Sequence, residues 1–182
     1  EGGVKYKDIC LSELLIAELS KIEQLRTSLL KSSDMIVVDD FGAGSRVFSN
    51  DIRPVNKIAR VVLQSEKVAL SIMSILIFWR SKGQGGRILE MGTSLGVTTA
   101  YLAASGWDVE TWEGCKNTAE YARCNWQGLG YDGKIKSKIG TFNALLNEDK
   151  GGWDVVFLDG HHDGPSTIKY VEILKTKLNP GG

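Results

Sequence analysis

The sequence RILEMGTSLGVTTAYLAA, residues 87–104, decides the fold class. Its first five residues form a short apolar run that is typical of a buried strand, and its last eight are typical of a helix. Gly92 and Gly96 lie between the two segments. A strand that runs through a glycine turn directly into a helix is the beginning of a βαβ unit, which is typical of a parallel sheet.

The same alternation continues to the end of the chain. After residues 87–104, the pattern predicts three further strands and three further helices: 107–112, 117–128, 134–139, 143–147, 153–158 and 166–178. We therefore predict an α/β fold, a Rossmann-like parallel sheet with helices on both faces. The chain finishes on a turn, Pro180-Gly181-Gly182, that would lead into another strand. Since four strands would leave a bare sheet edge, we expect C-terminal strands to be missing.

The N-terminal half has a helical pattern. Apolar residues recur every three or four positions over residues 9–31 and again over 54–80, where Ser65-Glu66 predicts a break between two helices. A polar, glycine-containing stretch, 39–46, separates the two regions. We predict a single domain, 1–182, in which 1–80 form an N-terminal helical extension acting as a cap or lid and 87–182 form a truncated Rossmann-like core. Within this stretch, residues 41–46 are interpreted as a lid or a wall of the acceptor site, and the alternative is an interhelical linker.

Composition excludes several classes of protein. The 182 residues carry 22 Lys+Arg and 22 Asp+Glu, and 42% are hydrophobic, which is typical of an ordinary globular domain. Balanced charge argues against nucleic-acid partners and against binding to an acidic membrane surface. The longest apolar run, residues 72–79, is too short to span a bilayer. Three cysteines without a CxxC pair favour a reduced, cytoplasmic location.

The loop after the first predicted strand is a candidate binding site. Ligands of open parallel sheets bind beyond the carboxyl ends of the strands. Glu90, Gly92 and Gly96 do not match the dinucleotide or phosphate-loop motifs, which disfavours a pyrophosphate ligand. Gly92 would let a ligand approach the backbone, Gly96 would begin the helix, and Glu90 would face an amine or another cation. The alternative is a tight turn with a solvated glutamate.

Glu113 closes the second predicted strand, 21 positions after Gly92. An acid about 20 residues beyond a glycine loop is placed to accept hydrogen bonds from a ribose diol. The alternative is an exposed carboxylate at a strand end. Together, the glycine loop and Glu113 favour an adenosine ligand without phosphate.

These motifs carry a resemblance to a known family. Residues 88–99 resemble motif I of the class I methyltransferases that use S-adenosylmethionine (SAM), especially the small-molecule O-methyltransferase branch. Trp112-Glu113-Gly114 resembles the ribose-binding acid of motif II, and residues 153–162 resemble the strand-four motif, often Asp-Gly-x-His in bacterial relatives. Residues 40–45 are similar to the N-terminal segment of an uncharacterised bacterial group. The resemblance implies SAM as the cofactor.

The resemblance also implies roles for individual residues. Gly92, Thr93 and Ser94 would hold the methionine part, with Gly96 beside them, Glu90 would support its amine, and Glu113 would bind the ribose. Thr141 and Phe142 lie where the family contacts adenine, although the family more often has an acid at the Thr141 position. Either Phe142 or Trp112 would stack on the base.

A polar cluster after the fourth predicted strand is the candidate catalytic site. A hydroxyl acceptor needs a base or a metal, and Asp159, His161, His162 and Asp163 form one such cluster. We favour Asp159 and His161 as catalytic residues, with Asp159 also counted among the cofactor contacts. The alternative is a polar loop. A divalent metal is the alternative to a base, but a single carboxylate would hold Mg²⁺ weakly, so no metal ligands are assigned.

The sequence therefore predicts a SAM-dependent methyltransferase that acts on a small-molecule acceptor, at oxygen. Two alternatives remain open: a non-catalytic or truncated nucleotide-binding module, and a nicotinamide-dependent oxidoreductase. The helix over residues 9–31 is interpreted as a packing element or as the contact of a homodimer. The acceptor itself cannot be identified from these motifs, because fold does not determine substrate.

Overall fold

The computed structural model describes residues 12–39, 52–83, 85–160 and 164–182. Its helices and strands follow the predicted alternation. In chain order they are α1 (Glu13–Lys31), β1 (Met35–Val37), β2 (Ile52–Pro54), α2 (Val55–Val62), α3 (Glu66–Ser81), β3 (Arg87–Met91), α4 (Val97–Ala104), β4 (Asp108–Glu113), α5 (Lys116–Gly128), β5 (Ile135–Ile139), α6 (Phe142–Glu148), β6 (Val155–Leu158) and α7 (Gly164–Lys175).

The main sheet has the strand order β5-β4-β3-β6, and every pairing in it is parallel. The chain moves outward from β3 through β4 to β5, then returns to the other side of β3 to form β6. The order therefore reverses at β3, and the crevice beyond its carboxyl end is the expected place for a ligand. The predicted parallel α/β sheet is confirmed.

Both faces of this sheet are covered by helices, because successive strand residues point to opposite sides. Leu89 and Met91 of β3 belong to a buried cluster with residues of α6 and α7. Ile88, on the other face, clusters with Leu76 of α3 and Leu102 of α4. The predicted Rossmann-like layering is therefore also confirmed.

Serine side chains cap the N-termini of two helices in the N-terminal half. Ser12 accepts a hydrogen bond from the Leu15 amide at 3.2 Å and begins α1. Ser65 accepts one from the Val68 amide at 3.4 Å and begins α3, so the predicted break at this serine is confirmed. Residues 9–11 of the predicted first helix lie outside the described residues.

Two short strands in this half were not predicted. β1 and β2 form a separate antiparallel pair in which Ile36 lies opposite Arg53. Interpreting this part of the chain as only helices and a linker was wrong, because a strand of three residues is too short to show an alternating pattern.

No single helix among the described residues is both long and apolar enough to cross a membrane. Taken together, α2 and α3 are long and apolar enough to cross one, but this holds by length and composition alone, and the two helices are bent by 58° relative to each other.

Candidate functional site

A cavity of about 700 Å³ lies at the carboxyl ends of the four parallel strands. This volume is within the usual range for small-molecule sites, roughly 300–1,000 Å³. The loops after β3, β4, β5 and β6 form one wall, and the residues directly after β1, together with β2, α2 and the turn after α2, contribute the other wall. Residues that are far apart in the chain thus meet at the carboxyl ends of the strands, which is where a binding site was predicted from the sequence.

The glycine loop after β3 is shaped by packing as well as by access to the cavity. Gly92 has a φ of +113°, and a Cβ there would lie 2.7 Å from the backbone oxygen of Asp159. Gly96, at φ +78°, precedes α4, and a Cβ there would lie 2.5 Å from Nε1 of Trp126. Both glycines also line the cavity. Both glycines are therefore required by the tight turn, and both also leave room for a ligand to approach the backbone.

Ser94 holds the loop in an unusual backbone conformation. Its φ of +48° is in the left-handed region, which costs a serine roughly 1–2 kcal/mol. The Ser94 amide donates a hydrogen bond to Oε2 of Glu113 at 2.9 Å. Residues kept in such conformations are concentrated at binding sites, where surrounding contacts stabilise them. Glu113 therefore fixes the glycine loop as well as lining the cavity.

The carboxylate of Glu113 is held by backbone amides on both sides. Oε1 accepts a hydrogen bond from the Cys115 amide at 3.0 Å, and Oε2 accepts the one from Ser94. Burial raises the pKa of Glu113, while these backbone hydrogen bonds act in the opposite direction. Each oxygen has a further lone pair that can accept another hydrogen bond. Glu113 lines the cavity, and its largely buried carboxylate does not match the alternative of a simply exposed strand end.

Glu90 lies behind the cavity and is not among the residues that line it. The residue is completely buried, and its Oε2 accepts hydrogen bonds from Oγ1 of Thr99 at 2.5 Å and of Thr111 at 2.6 Å. Oε1 has no hydrogen-bond partner among the described residues. Burial raises the pKa of Glu90 to about 8. The alternative of a solvated glutamate is wrong, because both faces of a parallel sheet are covered.

Thr93 connects Glu90 to the cavity. Its Oγ1 lies 2.6 Å from Oγ1 of Thr111, and Thr93 itself lines the cavity. A chain of hydroxyl groups therefore leads from the buried carboxyl to the cavity wall. Any support that Glu90 gives to a ligand passes through Thr111 and Thr93 rather than through direct contact.

Thr141 and Phe142 lie at the end of the cavity next to β5. Thr141 caps α6 by accepting a hydrogen bond from the Ala144 amide at 3.3 Å. The ring of Phe142 packs edge-on against Tyr170, with centroids 5.8 Å apart, and both residues line the cavity. Trp112, the alternative stacking residue, is fully buried and donates from Nε1 to Glu110, so it is not available to a ligand.

Asp159 follows β6 and faces the N-terminal wall. Its amide donates to the Met91 oxygen at 3.0 Å, and Nε2 of Gln64 lies 3.4 Å from its Oδ1. His161, His162 and Asp163 lie outside the described residues, as do residues 40–46, so the prediction for His161 stays a prediction. Within the described ranges, no group of three or more His, Cys, Asp or Glu side chains could hold a metal ion.

The cavity residues supplied by the N-terminal half were not predicted from the sequence. Arg53 on β2, Ile58 on α2, and Leu63 and Gln64 in the following turn all line the cavity. No local pattern identifies them, because their position depends on contacts between distant segments. Gln64 and Asp159, for example, are 95 positions apart.

The fold is that of the Rossmann-like methyltransferases, and comparisons with known proteins specify the family. Residues 89–182, just over half of the chain, match the family described as a methyltransferase domain. The chain belongs to this family, which confirms the resemblance noted in its motifs. A comparison with curated proteins gives no match.

Solved structures share the fold at low sequence identity. An O-methyltransferase from Bacillus cereus, in complex with S-adenosylhomocysteine (SAH), is 18% identical over 95% of this chain and 65% of its own, with a TM-score of 0.57. SAH-bound methyltransferase PaMTH1 from Podospora anserina is 20% identical over 94% and 60%, with a TM-score of 0.58. TomG from Streptomyces achromogenes, an O-methyltransferase in tomaymycin synthesis solved with SAM, is 19% identical over 94% and 63%, with a TM-score of 0.55. This chain spans about 60–65% of the length of these structures.

Proposed function

We propose that this chain binds SAM in the cavity and transfers its methyl group to a small-molecule acceptor, at oxygen. The observation that carries the proposal is the carboxylate of Glu113, held by two backbone amides in the cavity wall and placed one strand away from the glycine loop. Family membership supports the same conclusion.

The chemistry of the cavity fits SAM better than a nucleotide with phosphates. SAM carries a ribose diol and a positively charged sulfonium and amine, but no phosphate. Three acids line the cavity, Asp39, Glu113 and Asp159, and they suit a ligand with positive charge. The glycine loop also lacks the lysine of a phosphate loop.

When bound, SAM supplies a methyl carbon already activated by the sulfonium. The residues of the chain would mainly position it: Glu113 by accepting hydrogen bonds from the ribose, Phe142 by packing on the adenine, and the loop of Gly92, Thr93 and Ser94 by contacting the methionine part. Positioning of this kind accounts for up to about 7–11 kcal/mol of a barrier in well-oriented reactions.

Asp159 is the proposed base for the acceptor hydroxyl, together with His161. The amide of Gln64 faces both carboxylate oxygens of Asp159, at 3.4 and 3.5 Å, and orients the group across the cavity. Apolar residues of α2 and the next turn, Ile58, Val62 and Leu63, form the adjoining surface. We propose that this N-terminal half caps the site and selects a small, partly apolar acceptor.

Calorimetric titration with SAH tests cofactor binding. We expect the wild-type chain to bind SAH and Glu113→Ala to lose at least about 100-fold in affinity, because two ribose hydrogen bonds to a charged group disappear. Glu120→Gln, on the exposed surface of α5, is the matched control and should bind normally. Equal affinity of the wild type and Glu113→Ala would contradict the proposal.

Methyl transfer from labelled SAM to a panel of hydroxylated small molecules tests catalysis. Asp159→Asn should abolish transfer while leaving SAH affinity within a few-fold, since its proposed role is to accept a proton. SAH binding without transfer to any acceptor would favour the non-catalytic module. Binding of NADH instead of SAH, followed by fluorescence, would favour the oxidoreductase.

A further inference from the structure

A chain of short hydrogen bonds links the buried carboxyl of Glu90 to the cavity. Oε2 of Glu90 lies 2.6 Å from Oγ1 of Thr111, which in turn lies 2.6 Å from Oγ1 of Thr93. Glu90 and Thr111 are completely buried and Thr93 is 3% exposed, so bulk water does not compete for these groups. Of the three residues, Thr93 is the one that lines the cavity. A change at Glu90 can therefore reach a ligand through the two hydroxyl groups of Thr111 and Thr93, which we call the hydroxyl chain.

The direction of the hydroxyl chain depends on the charge of Glu90, because each hydroxyl has a single proton to donate. When Glu90 is ionised, Thr111 donates to its Oε2, so Thr93 must donate to Thr111. The Thr93 oxygen then presents lone pairs alone to the cavity, and it acts as a hydrogen-bond acceptor.

Protonation of Glu90 reverses this direction. A proton on Oε1 would have no acceptor among the described residues, and a buried donor without an acceptor is costly, so Oε2 is the favoured position for the proton. From there Glu90 donates to Thr111, Thr111 donates to Thr93, and Thr93 directs its own proton toward the cavity. The charge of Glu90 thus determines whether Thr93 presents an acceptor or a donor to a ligand.

The elements packed around Glu90 supply carboxylates, hydroxyls and apolar groups. Asp159 after β6 and Glu113 after β4 are the charged groups that act on it, and both raise its pKa. β6 places Phe157 opposite Glu90, α4 and β4 contribute the threonine hydroxyls, and α3 contributes Leu76 to the apolar cluster on this face of the sheet. No basic side chain of the described residues is among the groups that act on Glu90. Positive charge from a ligand would therefore favour the ionised form of Glu90.

An ammonium group is the ligand chemistry that fits the acceptor form of Thr93. Ammonium donates hydrogen bonds and cannot accept them, so it selects the state in which Glu90 is ionised. Three acids line the same cavity, Asp39, Glu113 and Asp159, which also favours a cation there. In the ligand-free protein Glu90 is protonated at neutral pH, since burial raises its pKa to about 8. Binding of an ammonium group would then displace this proton.

We propose that Thr111 is a positioning residue through which Glu90 sets the Thr93 hydroxyl as an acceptor for the ammonium group of SAM, and that binding of this group releases the proton of Glu90. The proton of Glu90 passes to Thr111, that of Thr111 to Thr93, and that of Thr93 to water, so one O–H bond breaks and one forms at each hydroxyl and one proton enters solution. The inference rests on the proposed function. It implies that affinity rises with pH until Glu90 is ionised without ligand.

Calorimetric titration with SAH in two buffers of different ionisation enthalpy counts the protons released on binding. SAH keeps the ammonium group but lacks the sulfonium, so the count reports on the ammonium. An opposite charge lowers the pKa of a neighbouring carboxyl by about 1–3, which for a starting pKa of about 8 corresponds to release of about 0.4–0.9 proton at pH 7. We expect Glu90→Gln to release fewer protons by this amount. The difference between the two proteins removes the contributions of Glu113 and Asp159, which both retain.

Three further variants test the hydroxyl chain, each titrated from pH 6 to pH 9. Thr111→Val keeps the shape of the side chain but breaks the chain, so it should lose most of the proton release at every pH and bind SAH roughly 3- to 10-fold more weakly. Thr111→Ser should restore both. Thr99→Val is the matched control, because Thr99 donates to the same oxygen of Glu90 but is not among the cavity-lining residues. It should keep the release, with a maximum at higher pH, since the lost hydrogen bond had lowered the pKa of Glu90.

Deaminated SAH, which carries hydrogen in place of the amine, identifies the group that triggers the release. With this ligand we expect the wild type and Glu90→Gln to release equal numbers of protons. An undiminished difference between them would overturn the inference, and so would equal release by the two proteins on binding SAH. Equal release by Thr111→Val and the wild type would overturn it as well, because the ligand charge would then act on Glu90 without the hydroxyl chain. Failure of the proposed function is distinguishable from these outcomes, because the wild type would then bind neither ligand, and the inference would fall with it.

Discussion

The buried carboxyl of Glu90 makes the stability of this protein depend on pH in a way that one substitution removes. Burial raises the pKa of Glu90 to about 8, the negative charges of Asp159 and Glu113 act in the same direction, and hydrogen bonds from Thr111 and Thr99 act against it. The folded protein therefore holds a proton on Glu90 at neutral pH. The unfolded chain, with a pKa near 4.5, does not.

The sign and size of the effect follow from this difference. Between about pH 4.5 and 8 the folded state binds more protons than the unfolded state, so the free energy of unfolding falls as the pH rises. Each pH unit within this window costs up to about 1.4 kcal/mol, and the whole window costs at most about 5 kcal/mol. Below this range the stabilisation is fully present, and above pH 8 it has been lost.

Glu90→Gln should remove this dependence. Glutamine has the shape of the protonated acid and keeps an oxygen that can accept the hydrogen bonds from Thr99 and Thr111, but it cannot ionise. At pH 5 we expect the variant to lie within about 1 kcal/mol of the wild type. At pH 8 we expect it to be more stable than the wild type by roughly 2–5 kcal/mol, because only the wild type must take up a proton or bury a charge at this position when it folds.

Urea denaturation at half-unit steps from pH 5 to pH 8.5, followed by tryptophan fluorescence, measures this difference. Buried Trp112 and Trp126 report on the folded core. Other titrating groups, including Glu113, are present in both proteins and affect the difference little. Glu120→Gln is the control and should run parallel to the wild type. A difference between Glu90→Gln and wild type that does not change with pH would refute the reasoning.

Two further predictions concern the cavity wall. Gly92→Ala should destabilise the protein by roughly 2–4 kcal/mol in the same denaturation assay and weaken SAH binding, because its Cβ would meet the Asp159 backbone and its φ is unfavourable for alanine; a loss below about 0.5 kcal/mol would contradict the close packing of β3 on β6. Phe142→Leu should weaken SAH binding by about 1 kcal/mol, or roughly fivefold, through loss of aromatic packing; an unchanged dissociation constant would show that the adenine lies elsewhere.

Most of the core could be predicted because its signals are local. The apolar run before Gly92 and the helix after Gly96 identify β3 and α4 with the observed ends, Arg87–Met91 and Val97–Ala104. The acid after β4 could be found for the same reason, since the length of one strand–helix–strand unit sets its distance from the glycine loop.

The environment of Glu90 was predictable in part. Its position on an inner strand of a parallel sheet implies burial on either face, whereas the motif alone suggests an acid beside the ligand. The hydroxyl partners, Thr99 on α4 and Thr111 on β4, could not be foreseen. Their contact with one carboxylate oxygen depends on how α4 packs on the sheet, which no short pattern encodes.

The N-terminal wall was unpredictable for a stronger reason: its position depends on a chain of contacts between distant segments. The Tyr101 hydroxyl on α4 donates to Glu23 on α1 at 2.6 Å, and Nε of Arg26 donates to the same carboxylate at 2.8 Å. Arg26 also donates to the backbone oxygen of Gln64, whose side chain faces Asp159. None of these pairings has a sequence signature, yet together they fix the turn after α2 against the cavity.

This arrangement separates the two tasks of the proposed enzyme. The proposed ribose and adenine end is formed by loops of the parallel core, where Glu113 is held by the backbone of its own and the neighbouring loop. The surface facing Asp159 comes from α2 and the turn that Arg26 holds. Substitutions at α2 residues that line the cavity, Ile58 for instance, should therefore alter the shape offered to an acceptor without moving the groups proposed to contact the nucleoside. Acceptor selection in this chain would then depend on the N-terminal half, and nucleoside recognition on the core.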